Sequence, residues 1–481
     1  MSGPLLEGFV VILGILLLML EAFGRERDKH ALGYLAAGGL AFILILSLWT
    51  KAPPASDGYL LDGFARFYKT LALVCTIAVI LLAIDYRPVL ARFTDTGDGE
   101  DHTGEFHALS VFACAGMMWM ASADNLISAF VALELVTITF YVLVAYLRRK
   151  SGALEAGVKY LILGALSTGL LVFGIAWIYG ATGTLNFARL GEIVASGAAP
   201  QIPLLFGAAL ILIGIGFKIG AVPMHIWIPD VYQGTATPVT AFLAVGSKAA
   251  GFLLLLRVLT PLLAAAGPVR DKLLFVLLLI AGATLLLGNL AAIPQSNFKR
   301  LLAYSSIGHA GFLLLAVAAW KAGAPGSTTL SSAEVVSFYL GAYLLMTLGA
   351  FFVLAVVSMA RGAESIAAFD GLAKRNPALA GALTVLMAAL AGVPLTAGFF
   401  GKFFVFRIAV ENGLWWGVGI AAIAAAAGFY YYFKVVRAMY WNQPSDTEPI
   451  VVPKISGIVI GTCVVAVIVL GFYPQPLFWL M

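Results

Sequence analysis

The sequence predicts an all-α polytopic membrane protein of about fourteen transmembrane helices, and three observations carry that expectation. Charged residues make up 11% of the chain and hydrophobic ones 62%, against roughly 25% and 45–50% in a soluble domain. The apolar residues fall in blocks of about 20, the length a helix needs to cross a hydrocarbon core. Lysine and arginine concentrate in alternate connections between those blocks. A length of 481 residues would suggest three soluble domains, but the connections are too short to hold them.

The spans are read at 4–23, 31–50, 60–84, 107–122, 125–147, 153–181, 203–228, 238–262, 272–292, 298–320, 332–360, 376–411, 413–440 and 454–479. The first is not a cleavable leader, because no basic residue precedes Arg25 and no A-x-A site follows. The longest polar connection, 85–106, carries Asp95, Asp98, Glu100, Asp101 and Glu105 and reads as a solvated loop. Odd-numbered connections hold Arg25, Arg27, Lys29, Arg87, Arg92, Arg148, Arg149, Lys150, Lys299, Arg300, Arg361, Lys374, Arg375, Arg437 and Lys454. Even-numbered ones hold Lys51, Arg189, Arg270, Lys272 and Lys321. The odd connections are therefore expected in the cytoplasm and both termini in the periplasm.

That asymmetry also explains the net charge of +5 and the pI near 9.0. No basic patch stands outside the hydrophobic blocks, so nucleic acid is not an expected partner. Cys75, Cys114 and Cys463 lie singly inside spans, with no CxxC or Cys/His cluster for zinc, haem or an iron–sulfur centre. No cofactor is expected in this chain.

The seventh and twelfth spans differ from the rest. One contains Gly214, Gly216, Gly220, Pro223 and Pro229; the other contains Gly392, Pro394, Gly398 and Gly401. Proline removes a donor and clashes with the carbonyl one turn back, so each helix should break near its middle. Such a break survives at membrane depth only inside protein or beside a wet cavity. Val222-Pro223 and Val393-Pro394 mark corresponding points, which predicts two five-span repeats, spans 4–8 and 9–13, the second inverted. The chain then divides into 1–106 (three spans and the polar loop), 107–262 and 272–440 (the repeats) and 441–481 (the last span). Gly214-Ile215-Gly216 lies in an apolar helix with no preceding strand, and reads as close helix packing rather than a nucleotide loop.

Ionisable residues stand where they are costly. Glu134 is near the middle of the fifth span, Lys218 just before the seventh-span break, Lys248 halfway along the eighth span and Lys402 just after the twelfth-span break. Each central lysine costs roughly 2.5–3.5 kcal/mol on the insertion scale, so all must face the protein interior. Buried pairs stabilise weakly. Three central lysines with one central glutamate leave cation that helix packing does not need. A lysine whose carboxylate partner can approach or retreat is a switchable proton donor. Lys159, near Glu155 at the start of the sixth span, could instead pair locally or snorkel.

His309 is central in the tenth span, within Tyr304-Ser305-Ser306-Ile307-Gly308-His309-Ala310-Gly311, with Ser305 on the same face. Imidazole can relay a proton between its two nitrogens. His225 lies near the end of the broken seventh span, where it serves either loop structure or a channel entrance. His30, His102 and His107 receive no role. Glu7 and Glu21 read as terminal or interhelical contacts, and Asp230 as shaping the loop after the seventh span.

Three segments carry a family likeness. They are Pro223-Met224-His225-Ile226-Trp227-Ile228-Pro229-Asp230-Val231-Tyr232, continuing to Pro238-Val239-Thr240-Ala241-Phe242-Leu243; the Tyr304–Gly311 run; and Gly392-Val393-Pro394-Leu395-Thr396-Ala397-Gly398-Phe399-Phe400-Gly401-Lys402-Phe403. Together they resemble the antiporter-like subunits of bacterial proton-pumping NADH:quinone oxidoreductase (respiratory complex I, NDH-1), kin to Mrp-type cation/proton antiporters. The likeness is strong over spans 4–13 and rests on layout elsewhere. Within the family the chain looks most like the subunit N branch. Lys402 stands where subunit M carries glutamate, and the long lateral helix of subunit L does not follow the last span.

The resemblance implies that Glu134 and Lys218 form the charge pair of a first half-channel, modulated by Lys159. Lys248 and His309 would link the halves, and Lys402 would release protons to the periplasm. It also implies a translocase subunit in the inner membrane, driven by quinone reduction elsewhere. FMN, iron–sulfur clusters and quinone would be held by partner subunits, with subunits M, K and J adjacent. A second reading is a subunit of a cation/proton (Mrp-like) antiporter, although sodium prefers oxygen ligands and the buried groups are mostly lysine. A third is a scaffold whose buried charges only fix packing.

Overall fold

A computed structural model describes residues 4–24, 31–50, 58–94, 103–323, 329–444 and 448–481. Arg25, Arg27, Lys29, His30, Lys51 and the loop residues Asp95, Asp98, Glu100, Asp101 and His102 lie outside the described residues. Every named element among the described residues is helical. Eleven of these helices are long and apolar enough to cross a membrane.

The chain forms two compact units, Met1–Ile219 with Gly234–Leu273 and Met481, and Gly220–Gln233 with Leu274–Leu480. In the first, α1 (Pro4–Phe23), α2 (Leu32–Ser47), α3 (Gly63–Asp85), α4 (Arg87–Thr94) and α5 (Thr103–Ala121) precede α6 (Leu126–Val144), α7 (Ser151–Thr182), α8 (Phe187–Ala195) and α9 (Gln201–Ile219). The second receives α10 (Ile228–Gln233 of the helix Ile228–Gly234). After α11 (Thr237–Leu262), the chain continues through α12 (Pro268–Ala292), α13 (Phe298–Ala318), α14 (Ser332–Arg361), α15 (Leu372–Arg375), α16 (Pro377–Ala391), α17 (Ala397–Glu411), α18 (Trp415–Trp441), α19 (Lys454–Phe472) and α20 (Gln475–Trp479). The polar connection read as loop contains α4, whose Phe93 carbonyl accepts from the Arg149 amide at 3.1 Å.

The helices start where the sequence supplies caps. Asp62, Asn125, Asn186, Asn297 and Asn376 each accept a first-turn amide, and Ser331 with Glu334 makes a full capping box. Two long helices, α7 and α14, end on left-handed glycines, Gly183 (φ 69°) and Gly362 (φ 66°). In the first unit Asn125 forms an isolated antiparallel bridge with Asn186; in the second, Asn297 forms one with Ser365.

Both expected breaks occur, in different places. The first is not near the middle of its span: α9 runs unbroken to Ile219, Gly220 takes φ 78°, and helix resumes only at Ile228. Pro223 lies inside the interruption, and Gly220 in the left-handed region ends the helix three residues before it. The second break is central. α16 closes on Gly392 at φ 92°, Leu395 sits strained at φ 68°, and α17 begins at Ala397.

Burial separates inner from outer helices. The apolar windows of α11 and α13 are 100% and 94% buried, whereas those of α7, α18 and α19 are each 33% buried. The exposed faces of the latter are left for lipid or other subunits.

Candidate functional site

In the first unit, α7 and α9 pack closely because small residues line the seam. A Cβ on Gly214 would stand 2.8 Å from the Leu171 Cβ, and the Ser167 hydroxyl donates to the Gly214 carbonyl at 2.7 Å. This close approach carries Lys218, in the last turn of α9, beside α7. Its ammonium is 3.5 Å from the Tyr160 hydroxyl and 5.6 Å from the Tyr160 and Phe217 ring centres. Glu134 is half-buried on α6, accepts from the Thr168 hydroxyl at 2.9 Å, and is the charge acting on Lys218. The lysine also sits at the carbonyl end of its helix, where the backbone dipole favours a cation.

Lys159 pairs with Glu155 at 2.6 Å, and 40% of its side chain is exposed. It therefore lies on the outer face of α7. Lys248, 1% exposed, follows directly on a π-helical turn over Leu243–Ser247. Such turns interrupt the regular ladder and recur at functional sites.

In the second unit the segment between the halves of the broken helix is held by side chains. The Val222 amide donates to the Thr284 hydroxyl at 3.0 Å, and Arg300 meets Asp230 at 2.7 Å. Pro223 is exposed while His225 is buried. Asp230 thus fixes the helix after the break, in keeping with the expected structural part.

His309 lies 2.7 Å from the Tyr339 hydroxyl through Nδ1 and 3.0 Å from the Tyr432 hydroxyl through Nε2. Ser305 reaches it through Tyr432, with which it shares a very short contact, rather than directly. Ser306 and Tyr232 are 3.4 Å apart, and Tyr431 donates to Asn289 at 3.1 Å. Both imidazole nitrogens are therefore engaged by hydroxyls that can donate or accept, the condition for a relay.

At the second break, Val393 and Gly392 amides donate back to Ala388, closing α16 in a Schellman-type cap. The remaining terminal carbonyls, Leu390 and Ala391, accept from the Lys402 ammonium at 3.1 and 2.6 Å. Phe312 presents its ring 5.1 Å below that ammonium. Gly398 is required here, since a Cβ would collide with the Ala389 carbonyl. Pro394 is exposed in the turn.

Three charged residues escaped the sequence reading. Lys69, 2% exposed in α3, pairs with Glu7 at 2.6 Å. Lys299, counted with the loop charges, is fully buried and pairs with Glu364 at 2.6 Å. Lys434 caps the end of α12 through the Ile293 and Gln295 carbonyls at 3.3 and 2.9 Å. The tyrosines around His309 were also missed. For Tyr432 the signal was a pair of hydroxyl-bearing rings, Tyr431-Tyr432, inside an apolar span, where buried phenols need partners. Among the described residues no group of three or more His, Cys, Asp or Glu could hold a metal, and the three cysteines are free and buried.

A sequence-family profile described as NADH:quinone oxidoreductase/Mrp antiporter, TM, matches residues 123–428. A protein named NADH-quinone oxidoreductase subunit N from Desulforamulus reducens is 38% identical over 97% of this chain and 94% of its own length. One named NADH-quinone oxidoreductase subunit N 2, from Roseiflexus castenholzii, is 40% identical over 96% and 91%. A chain of respiratory complex I from Thermus thermophilus with bound aureothin superposes with a TM-score of 0.79 at 31% identity, covering 98% of this chain and 97% of that one. A chain of the Mrp complex from a Dietzia species shares the fold, with a TM-score of 0.82 at 20% identity over 99% and 95%.

Proposed function

Because the chain belongs to the subunit N family of NADH-quinone oxidoreductases, we propose that its buried lysines are the stations of its proton path. The chain is a multi-pass, antiporter-like membrane subunit that translocates protons in an NADH:quinone oxidoreductase complex. Two lysines at the carbonyl ends of interrupted helices, Lys218 in the last turn of one and Lys402 bonded to the terminal carbonyls of the other, are the observation that carries the assignment of sites.

In this reading Lys218 gains and loses its proton as the Glu134 carboxylate strengthens or relaxes its attraction, with Lys159 acting from the outer face of α7. Lys248, beside the π turn, hands on to His309, whose two hydroxyl-bonded nitrogens pass the proton along. Lys402 releases it, and His225 stands at a possible entrance. The Pro223 and Pro394 segments supply the unwound backbone. Fourteen spans, with inverted repeats over spans 4–8 and 9–13, give this architecture. The matched Asn125–Asn186 and Asn297–Ser365 bridges and the matched Gly183 and Gly362 caps support the repeat. The proposed divisions remain 1–106, 107–262, 272–440 and 441–481, in a bacterial inner membrane with both termini periplasmic. Partner subunits hold FMN, iron–sulfur clusters and quinone, and subunits M, K and J are the proposed neighbours. The complex as a whole is the translocase.

The test is Lys218→Ala, with assembly, NADH:quinone turnover and proton pumping measured on one membrane sample. Turnover and pumping should fall together in an assembled complex. Normal values of both would make Lys218 a packing residue. Retained sodium/proton exchange without NADH would favour the Mrp-type alternative, whose fold this chain shares.

A further inference from the structure

The Lys69–Glu7 pair belongs to none of the stations above. It joins α1 to α3, ahead of the region matched by the family profile. The two side chains are 2% and 1% exposed. Tyr59, in the segment leading into α3, completes the cluster. Lys69 donates to its hydroxyl at 2.5 Å, and that hydroxyl lies 3.3 and 3.4 Å from the two Glu7 oxygens. The Tyr59 ring is half-buried and forms part of the wall of a crevice of about 530 Å³, shared with Leu60, Asp124, Phe187, Arg257 and Pro261. Tyr59 thus touches an enclosed ion pair through its hydroxyl and also lines an open space.

We propose that Glu7, Lys69 and Tyr59 form a further proton-exchange site, opening through Tyr59 into this crevice. The inference rests on the reading of the chain as a proton carrier. Packing alone does not account for the arrangement. A buried ion pair adds little net stability, and apolar residues would join α1 to α3 as well. An ionisable pair inside a membrane helix is instead a functional candidate, and a hydroxyl linking it to a crevice serves exchange.

The step balances without a co-reactant. An N–H bond of the Lys69 ammonium breaks as an O–H bond forms on Tyr59, while the original Tyr59 O–H proton passes to a water in the crevice. The products are neutral lysine, unchanged phenol and hydronium; the reverse step reloads the site. Burial first, and then the Glu7 charge, push the Tyr59 phenol up, so it keeps its proton at neutral pH and acts as a relay rather than a phenolate. The other ionisable groups around the cluster are Arg66 and Asp62 at the start of α3, Cys114 on α5, and Asp124 and Arg257 in the crevice. Arg257 holds Asp62 through two 2.8 Å contacts, and the Asp124 carboxylate accepts from Gly58, Asn125 and Asn186.

Two variants of the assembled complex test the site, Tyr59→Phe and the charge-free pair Glu7→Gln with Lys69→Met. Both are read for assembly and for the pH profile of proton pumping, and Tyr59→Phe also for hydrogen–deuterium exchange of the Lys69 ammonium by infrared difference spectroscopy. Tyr59→Phe should keep the ion pair but slow its exchange, and both variants should move the pumping profile while assembly holds. Unaltered exchange and profile in an assembled variant, or failure of both variants to assemble, would overturn the proposal and leave a packing contact. Lys218→Ala in the same membranes separates the two readings. If it abolishes pumping while the Tyr59 variant is normal, only the further site is lost.

Discussion

The two interrupted helices solve one problem by opposite routes. In α9 the lysine comes before the break, in the last turn of the helix, with its ammonium 3.5 Å from the Tyr160 hydroxyl. In the α16–α17 pair the lysine comes after the break and reaches back to the Leu390 and Ala391 carbonyls of the preceding half. Either way, the lysine lies at the negative end of a helix, where a cation is stabilised by roughly 0.3–1 kcal/mol and by more when partly buried. Their other partners differ. Lys218 has a carboxylate, Glu134, and a phenol, Tyr160, acting on it, whereas the hydrogen bonds of Lys402 go to backbone carbonyls. The first station can be tuned by moving one side chain. The second is tied to the shape of the break itself.

That contrast sets the order of expected effects. The largest should come from Lys402→Met, which removes the titrating group and uncaps α16. Pumping should fall by at least about a hundredfold in an assembled complex, the lower end of the range for loss of a proton-transfer group; pumping in proteoliposomes checks it. Glu134→Gln should act on the first station alone. The carboxylate acts on Lys218 through its charge rather than a hydrogen bond, and losing about 1 kcal/mol of that attraction predicts roughly fivefold slower turnover. Equal sensitivity of both stations to the loss of one acid would break the comparison. A smaller effect on pumping should follow Gly392→Ala, which forces a side chain into the left-handed region for about 1–2 kcal/mol. Its Cβ would also stand 2.9 Å from the Lys402 Cδ. It should lower thermal stability and pumping more than Pro394→Ala does, because Pro394 is exposed in the turn while glycine holds the break.

The sequence made the membrane class, the paired interruptions and the costly central charges legible, because each is a local property of composition or spacing. Lys218, Lys248, His309 and Lys402 are all buried where the helical reading put them in the interior. The first break includes Pro223 but lies near the end of its span rather than the middle, and the left-handed glycine that ends α9 is recognised only from its backbone. Lys69 escaped because it lies only two turns into a span, where a lysine ordinarily snorkels to the surface. Its enclosure depends on Glu7, far away in the sequence. Tyr339 and Tyr432 escaped for a similar reason. A phenol in an apolar helix reads as packing until the imidazole between them is located in space.

Complete enclosure of α11 has a consequence for how the protein is made. The helix that carries Lys248 is surrounded by protein along its whole apolar window. At the moment of synthesis none of that surround is guaranteed, and a lysine near the centre of a span raises the cost of leaving the translocon by roughly 2.5–3.5 kcal/mol. Cotranslational order then becomes part of the design. The outer helices of its unit precede it in the chain, so a receiving wall can exist before α11 emerges from the ribosome. Circular permutants that synthesise α11 ahead of α6–α9 should therefore stall in biogenesis, even though the finished contacts would be the same.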